Sequence, residues 1–287
     1  MLERATQIAQ VRERVKAWKK AGLTVGLVPT MGYLHEGHAS LVKKAKSECD
    51  RVVVSDFVNP TQFGPNEDLE SYPRDFEHDC ALLEACGADL VFHPEPSEMY
   101  CPDRTTWVDM ERLSTVLCGK TRPIHFRGVC TVVCKLLNIA APDRAYFGQK
   151  DAQQLSVIRR MVRDLNMDVV IVGCPIVREA DGLAKSSRNT YLSDAERLAA
   201  LCLSRSVRAG EKLVAQGCTD PAAIVAAMRA VIEAEPTARI DYVEAVDAVN
   251  LEPVTDLEKP VLFAMAVYIG KTRLIDNFIT EEKRHAA

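Results

Sequence analysis

Leu27-Val28-Pro29-Thr30-Met31-Gly32-Tyr33-Leu34-His35-Glu36-Gly37-His38 is the stretch that decides how the chain folds. The apolar run from Thr24 to Val28 predicts a short buried strand. Pro29 and Gly32 break it, and the spacing of Leu41, Val42 and Ala45 predicts a helix from about His38 to Glu48. Two histidines therefore fall where a strand gives way to a helix. In α/β sheets ligands bind at the carboxyl ends of strands. A helix start also offers backbone N–H groups and the positive end of its dipole to a phosphate. Gly37 carries no side chain to hold a ligand off the backbone.

An imidazole can donate a hydrogen bond, or carry a positive charge, near neutral pH. A pair aimed at a transferring phosphate would stabilise charge that develops in the transition state. Two plainer readings stay open. One histidine could cap the helix while the other is solvated, or the two, three residues apart, could share a metal.

Outward from this turn, strands and helices alternate. Ile8 to Lys20 predicts an amphipathic helix, with Val11, Val15 and Trp18 on one face. Arg51 to Val58 is a β-branched run that predicts a second central strand. It ends in the turn-rich loop Asn59 to Asn66, where Asn59 and Gln62 share the histidines' side of the sheet if the strands are parallel. An amide there can bind a hydroxyl or carboxylate, or merely cap the loop. A helix around Phe76, Leu82 and Leu83 and a strand from Ala88 to Phe92 follow. Lys120 to Gly128 concentrates basic groups before a helix from Val129 to Leu137, which suits an anion at a helix start, with a solvated charge cluster a close second reading. Ala145 to Phe147 predicts a strand ending in Gly148-Gln149-Lys150-Asp151, and the next helix carries Gln153 and Gln154. A lysine at such a junction meets phosphate as a point charge. Val169 to Val172 predicts another strand, which Pro175 to Arg178 continues with a kink. The alternation predicts a parallel α/β sheet.

Asp181 to Asn189 is a polar loop in which Lys185 and Arg188 flank Ser186 and Ser187, a donor set suited to a triphosphate, or else a solvated linker. Beyond about residue 190 the pattern changes. Helices are predicted at 194–215, capped by Ser193, and at 220–234. Two β-like stretches follow, Ile240 to Val249, and Val261 to Ile269 with Thr272 to Ile275. This predicts a smaller α+β domain.

With 47% hydrophobic and 26% charged residues over 287 positions, the composition is that of a soluble globular protein of one large or two medium domains. A net charge of −4 gives no global attraction to nucleic acid or to an anionic membrane. No apolar run approaches the ~18–20 residues of a membrane span. The 10 cysteines include no Cys-x-x-Cys pair and no zinc spacing, and Cys130 and Cys134 fit helix packing. Without a signal-like N-terminus, this usage predicts a reducing cytoplasm.

Five motifs occur in order: Pro-Thr-Met-Gly-x-Leu-His-x-Gly-His at 29–38, Phe-Val-Asn-Pro-x-Gln-Phe at 57–63, His-Phe-Arg-Gly at 125–128, Phe-Gly-Gln-Lys-Asp-x-Gln-Gln at 147–154 and Ser-Ser-Arg-Asn at 186–189. Together they resemble the pantothenate synthetase (pantoate–β-alanine ligase) family of the His-x-Gly-His nucleotidyltransferases. The resemblance implies a Rossmann-like parallel-sheet domain, residues 1–178, that binds nucleotide and pantoate, and a smaller α+β C-terminal lid, residues 179–287. It implies a cytoplasmic homodimer with no nucleic-acid or membrane partner. The reaction would use pantoate, β-alanine, ATP and Mg²⁺, pass through pantoyl adenylate and pyrophosphate, and yield AMP and pantothenate for coenzyme A synthesis.

Carried residue by residue, the resemblance assigns Pro29, Met31, Gly32, Tyr33, Leu34, His35, Glu36, Gly37, His38, Gly148, Gln149, Lys150, Asp151, Val177, Lys185, Ser186, Ser187 and Arg188 to ATP. Catalysis would fall to His38, as proton donor, with His35, Lys150, Ser186, Ser187 and Arg188. Gln62 and Gln154 would hold pantoate, with Asn59, Tyr72 and Arg127 as further pocket residues. It names no metal ligands, and the metal can be held mainly by ATP phosphates. Position 185 departs from the pattern: an apolar residue is usual there, and this chain has Lys185. Two rival readings are another adenylate-forming member, such as an aminoacyl-tRNA synthetase, and a nucleotide-binding regulatory module without catalysis. The acidic charge and the missing anticodon-binding extension speak against the first; the retained His38, Lys150 and Arg188 speak against the second.

Overall fold

The strand read at Thr24 to Val28 is β2 (Val25–Thr30), and it lies inside a six-stranded sheet. In chain order its companions are β1 (Glu3–Ala5), β3 (Arg51–Asp56), β4 (Leu90–Phe92), β5 (Arg144–Gly148) and β6 (Val170–Cys174). They stand in the order β1-β4-β3-β2-β5-β6, every pairing parallel. β2 and β3 run in register from Val25 opposite Arg51 to Thr30 opposite Asp56. The central runs are nearly continuous apolar residues because a parallel sheet is covered on both faces. The computed structural model describes residues 1–65 and 67–281. Asn66, the last residue of the predicted 59–66 loop, lies outside them.

The intervening helices are α1 (Ile8–Lys20), α2 (Glu36–Glu48), α3 (Phe76–Ala85), α4 (Pro96–Met99), α5 (Cys118–Thr121), α6 (His125–Ala140) and α7 (Ala152–Asp164). α2 packs Leu41, Val42 and Ala45 into a core with Val28, Val52, Val54, Leu83 and Tyr146. The edge strand β1 is not legible in the sequence, because three residues carry no periodicity. α6 starts four residues earlier than expected, so the His-Phe-Arg-Gly motif forms its first turn. The predicted continuation of β6 through Arg178 does not form. The strand stops at Cys174 because Pro175 has no N–H for the ladder, and only an isolated bridge joins Arg178 to Ala184.

The remaining elements are α8 (Asp194–Ala199), α9 (Leu201–Ala215), α10 (Pro221–Glu233), β7 (Ala238–Asp247), β8 (Val261–Ile269) and β9 (Thr272–Ile279), the three strands forming an antiparallel sheet. Ser193 caps α8 in a reciprocal capping box with Glu196. The single helix expected at 194–215 is two, because Ala200 accepts from Leu203 in a tighter three-residue turn.

The contacts divide the chain into two compact units. One comprises Met1–Thr115, Gly119–Gln149 and Val157–Pro175; the other comprises Val116–Cys118, Lys150–Ser156 and residues from Ile176 onward. The second has its own core of Leu203, Ile224, Met228, Phe263, Met265 and neighbours. Within it Gln153 holds residues 116–118: its Oε1 accepts from the Cys118 N–H at 2.9 Å and its Nε2 donates to the Val116 carbonyl at 2.7 Å. Among the described residues no helix is long and apolar enough to cross a membrane.

Candidate active site

The strand order places a switch point at β2, whose chain continues through β3 and β4 on one side while β5 lies on the other. Such points are where α/β sheets bind ligands. β2 ends there in the turn that carries the two histidines, and β5 ends there in Gly148 and Gln149.

The turn is built from polar contacts that its sequence predicts only in part. Gly32 and Tyr33 have positive φ angles of 79° and 51°. Gly32 must be glycine, since a Cβ would lie 2.4 Å from Asp56 Oδ1. His35 then caps α2: its Nδ1 accepts from the Gly37 N–H at 3.1 Å and its ring also receives the His38 N–H. The His38 ring returns the contact, its Nδ1 accepting from the His35 N–H at 3.3 Å. The rings lie 4.1 Å apart between centroids, tilted by 32°. Because each Nδ1 accepts, each neutral ring carries its proton on Nε2. The helix start thus has its Gly37 and His38 N–H groups taken up by the His35 ring. This corrects the expectation that the first-turn N–H groups are free for phosphate. Capping contacts engage both rings at once.

Asp79, on α3, was missed by the sequence reading. It is 1% exposed, and its two oxygens accept from the Tyr33 and Leu34 N–H groups, each at 2.6 Å. Burial raises its carboxyl above the ordinary range, the Leu34 amide pulls it back, and the nearby Asp56 adds to the rise. The signal was present: Asp79 sits on the apolar stripe of α3 with Phe76, Cys80 and Leu83, and an acid on such a stripe needs donors.

Gln62 lies in a short 3₁₀ turn, Pro60–Gln62, after β3. Its side chain is buried, with Oε1 accepting from Asn59 Nδ2 at 3.0 Å and Nε2 set 3.0 Å from Met31 Sδ. Asn59 is spent on this support: Oδ1 accepts from Tyr100 Oη at 2.7 Å and Thr61 Oγ1 at 2.9 Å, and Nδ2 also donates to the Gly128 carbonyl at 3.2 Å. Gly128 is where α6 touches the turn, since a Cβ would lie 2.4 Å from the Thr61 carbonyl oxygen. His125 Nδ1 donates to the Gln62 carbonyl at 3.1 Å, and its Nε2 accepts from Arg122 at 3.1 Å. The His-Phe-Arg-Gly motif is therefore the seat of the Gln62 turn. Arg122 also pairs with Glu67, at 2.9 Å from Nε, so this basic stretch is not an open anion site at a helix start. Tyr72 is buried edge-on to Phe63. Arg127 stacks on Trp107, 4.6 Å from the ring centre, and lines a 440 Å³ cleft with Pro60, Thr61, Phe63, Tyr100 and Arg104.

In the second unit, Lys150 Nζ lies 3.5 Å from Asp151 Oδ2, and the Lys150 carbonyl accepts from Asn277 Nδ2 at 2.9 Å. Gln154 is half-buried on α7. The 181–189 segment is folded: Lys185 N–H donates to the Val177 carbonyl at 2.9 Å, and Ser186 caps the 3₁₀ turn Ser187–Tyr191 through the Arg188 N–H. Arg178 anchors its base by a paired bond to buried Asp276, at 2.7 and 2.9 Å.

The model of the pantoate-beta-alanine ligase family matches residues 3–279. The chain belongs to this family. Pantothenate synthetase of Ruminiclostridium cellulolyticum is 62% identical to it over 271 residues, 94% of this chain and 96% of the relative. That of Enterococcus faecalis is 59% identical, over 96% and 97%. The crystal structure of the Thermus thermophilus pantothenate synthetase matches with a TM-score of 0.90 at 45% identity, covering 96% of this chain and 98% of that one. The pantoate-beta-alanine ligase of Francisella tularensis, crystallised with beta-gamma ATP and beta-alanine, matches at 0.79 and 34% identity over 97% and 98%. The chain is accordingly a ligase that joins pantoate to β-alanine, as the five motifs implied.

Proposed function

We propose that this ligase is driven by ATP through a pantoyl adenylate, for coenzyme A synthesis in the cytoplasm. A carboxylate is a poor acyl donor. Its oxygen attacks the α-phosphorus of ATP, the bond to the β-phosphate oxygen breaks, and pyrophosphate leaves. The neutral amine of β-alanine then attacks the acyl carbon, AMP departs with the bonding electrons, and the amine nitrogen loses one proton to solvent. The substrate supplies the nucleophile, so the protein's task is to orient the reactants and stabilise charge.

The observation that supports this reading is the pair of mutually capping imidazoles, His35 and His38, at the end of β2. In this proposal they donate to phosphate oxygens as negative charge grows. Lys150, Ser186, Ser187 and Arg188 serve the leaving pyrophosphate, with Pro29 to Leu34, Glu36, Gly37, Gly148, Gln149, Asp151, Val177 and Lys185 completing the nucleotide contacts. Gln62 and Gln154 hold pantoate. A division at residue 178 into a binding domain and a lid, and a homodimeric assembly, belong to the same proposal. The Francisella tularensis complex with beta-gamma ATP and beta-alanine supports the choice of nucleotide and amine.

Mg²⁺ would neutralise phosphate charge. Among the described residues no three His, Cys, Asp or Glu side chains converge to hold a metal. In this proposal the Mg²⁺ is held mainly by the triphosphate oxygens.

Exchange of labelled pyrophosphate into ATP tests the reading. Pantoate-dependent exchange is expected. Exchange that depends on an amino acid would mark a tRNA ligase, and none with any acid would mark a nucleotide sensor.

A further inference from the structure

The residues that hold the histidine turn form a chain of contacts that starts at Asp79. Gly32 and Tyr33, both at positive φ, turn successive N–H groups to one side, a concavity that binds an anion. The anion in it is the Asp79 carboxylate, which takes the Tyr33 N–H on Oδ2 and the Leu34 N–H on Oδ1. The next N–H along, that of His35, goes to His38 Nδ1, and that of Gly37 goes to His35 Nδ1. His78 Nδ1 lies 3.3 Å from Asp79 Oδ1, and Asp56 flanks Gly32 from β3. His93 in turn contacts the Asp56 carbonyl at 2.9 Å.

We propose that Asp79 is a positioning residue for adenylation: by fixing the Tyr33 and Leu34 amides it fixes the backbone on which His35 and His38 cap each other, and so the direction of their Nε2–H groups. This rests on the reading that His38 donates to the phosphate under transfer. A carboxylate suits the place because both amides are donors and both of its oxygens are acceptors. The two bonds also hold Tyr33 in a left-handed conformation that its side chain disfavours. Asp79 itself touches no reacting atom; it works through the turn.

The Asp79→Asn enzyme is the test. Asparagine keeps the shape but turns an NH₂ donor toward one of the two amides. In pantoate-dependent ATP–pyrophosphate exchange its kcat should fall on the order of 10- to 100-fold, as a misplaced catalytic group does. The KM for ATP should move by less than about threefold, since the loss lies in the transition state. ¹⁵N spectra of the imidazoles, recorded without substrate, should lose the uniform Nε2–H pattern at His35 and His38. Hydrogen exchange of the wild type should show the Tyr33 and Leu34 amides protected. Unchanged ring spectra with an unchanged kcat overturn the proposal. So do unprotected Tyr33 and Leu34 amides in the wild type, a result that stands even if the variant does not fold. A wild type without pantoate-dependent exchange overturns the reading of the reaction instead, and the ring spectra and amide protection then decide the role of Asp79 alone.

Discussion

The turn at residues 32–38 rests on a carboxylate, Asp79, and the turn at 59–62 rests on an amide, Asn59. Both side chains are 1% exposed and both support residues assigned to ligands. They differ in what their neighbours require. Asp79 faces the Tyr33 and Leu34 N–H groups, donors that only acceptors satisfy. Asn59 faces donors on one side, the Tyr100 and Thr61 hydroxyls, and acceptors on the other, Gln62 Oε1 and the Gly128 carbonyl. An amide can serve both sides and a carboxylate cannot. The difference also sets the electrostatics: a negative charge lies behind the histidines and a neutral group behind Gln62, whose proposed ligand, pantoate, is itself an anion.

The largest effect that bears on this comparison is expected at the histidine turn. His38→Ala should slow single-turnover formation of pantoyl adenylate by about 10²–10³-fold, the scale of a lost donor to developing charge. A rate within a few-fold of wild type would remove His38 from the chemistry.

Outside both turns, Arg188 and Lys185 sharpen it. Arg188→Ala should lower pantoate-dependent exchange by about 10- to 100-fold, the worth of a charge-assisted hydrogen bond. Lys185→Leu, which restores the usual apolar residue, should stay within about threefold, below the scale of one such bond. Equal losses would show that the extra lysine works in catalysis.

Asn59→Asp exchanges one kind of support for the other. Two buried acceptors would face a carboxylate, and stability in urea should fall by about 2 kcal/mol or more. Calorimetric titration should show pantoate binding weakened more than ATP binding. Equal losses for the two ligands would argue that the Gln62 turn does not serve pantoate.

The smallest effect is a slope of stability with pH. Asp79's folded carboxyl lies above its ordinary value of 3.8, so in the window just above 3.8 the folded protein keeps a proton that the unfolded chain has lost. Stability therefore falls as pH rises through that window. His93, raised from 6.5 first by its hydrogen bond to Asp56, gives stability below 6.5 that is lost as pH rises through its folded value. Urea titrations across both windows should show the difference between wild type and Asp79→Asn carry this falling contribution just above 3.8, while the slope above 6.5 is the same in both.

The strands and helices of the first unit are legible where period and length are both sufficient. Ile8–Lys20 and the β2–α2 junction are examples, and the ordered motifs carry the family. β1 is too short to show a period, and the end of β6 is obscured because the valines and isoleucine around Pro175 outweigh it. The site is legible as residue types but not as geometry. His-x-Gly-His spacing leaves capping, metal and phosphate readings open. Only the Nδ1 bonds show that both rings take part in capping.

By itself the sequence determined the parallel α/β class, the helical and antiparallel second region, and the residue types able to meet a triphosphate. Periodicity and local chemistry reside in neighbouring residues along the chain. The tertiary structure alone decided that Asp79, 45 residues beyond Leu34, closes the histidine turn. It alone decided that Gly128 lets α6 close on the Gln62 turn. A buried polar group takes whichever partner the fold brings to hydrogen-bond distance, and sequence separation carries no record of that distance.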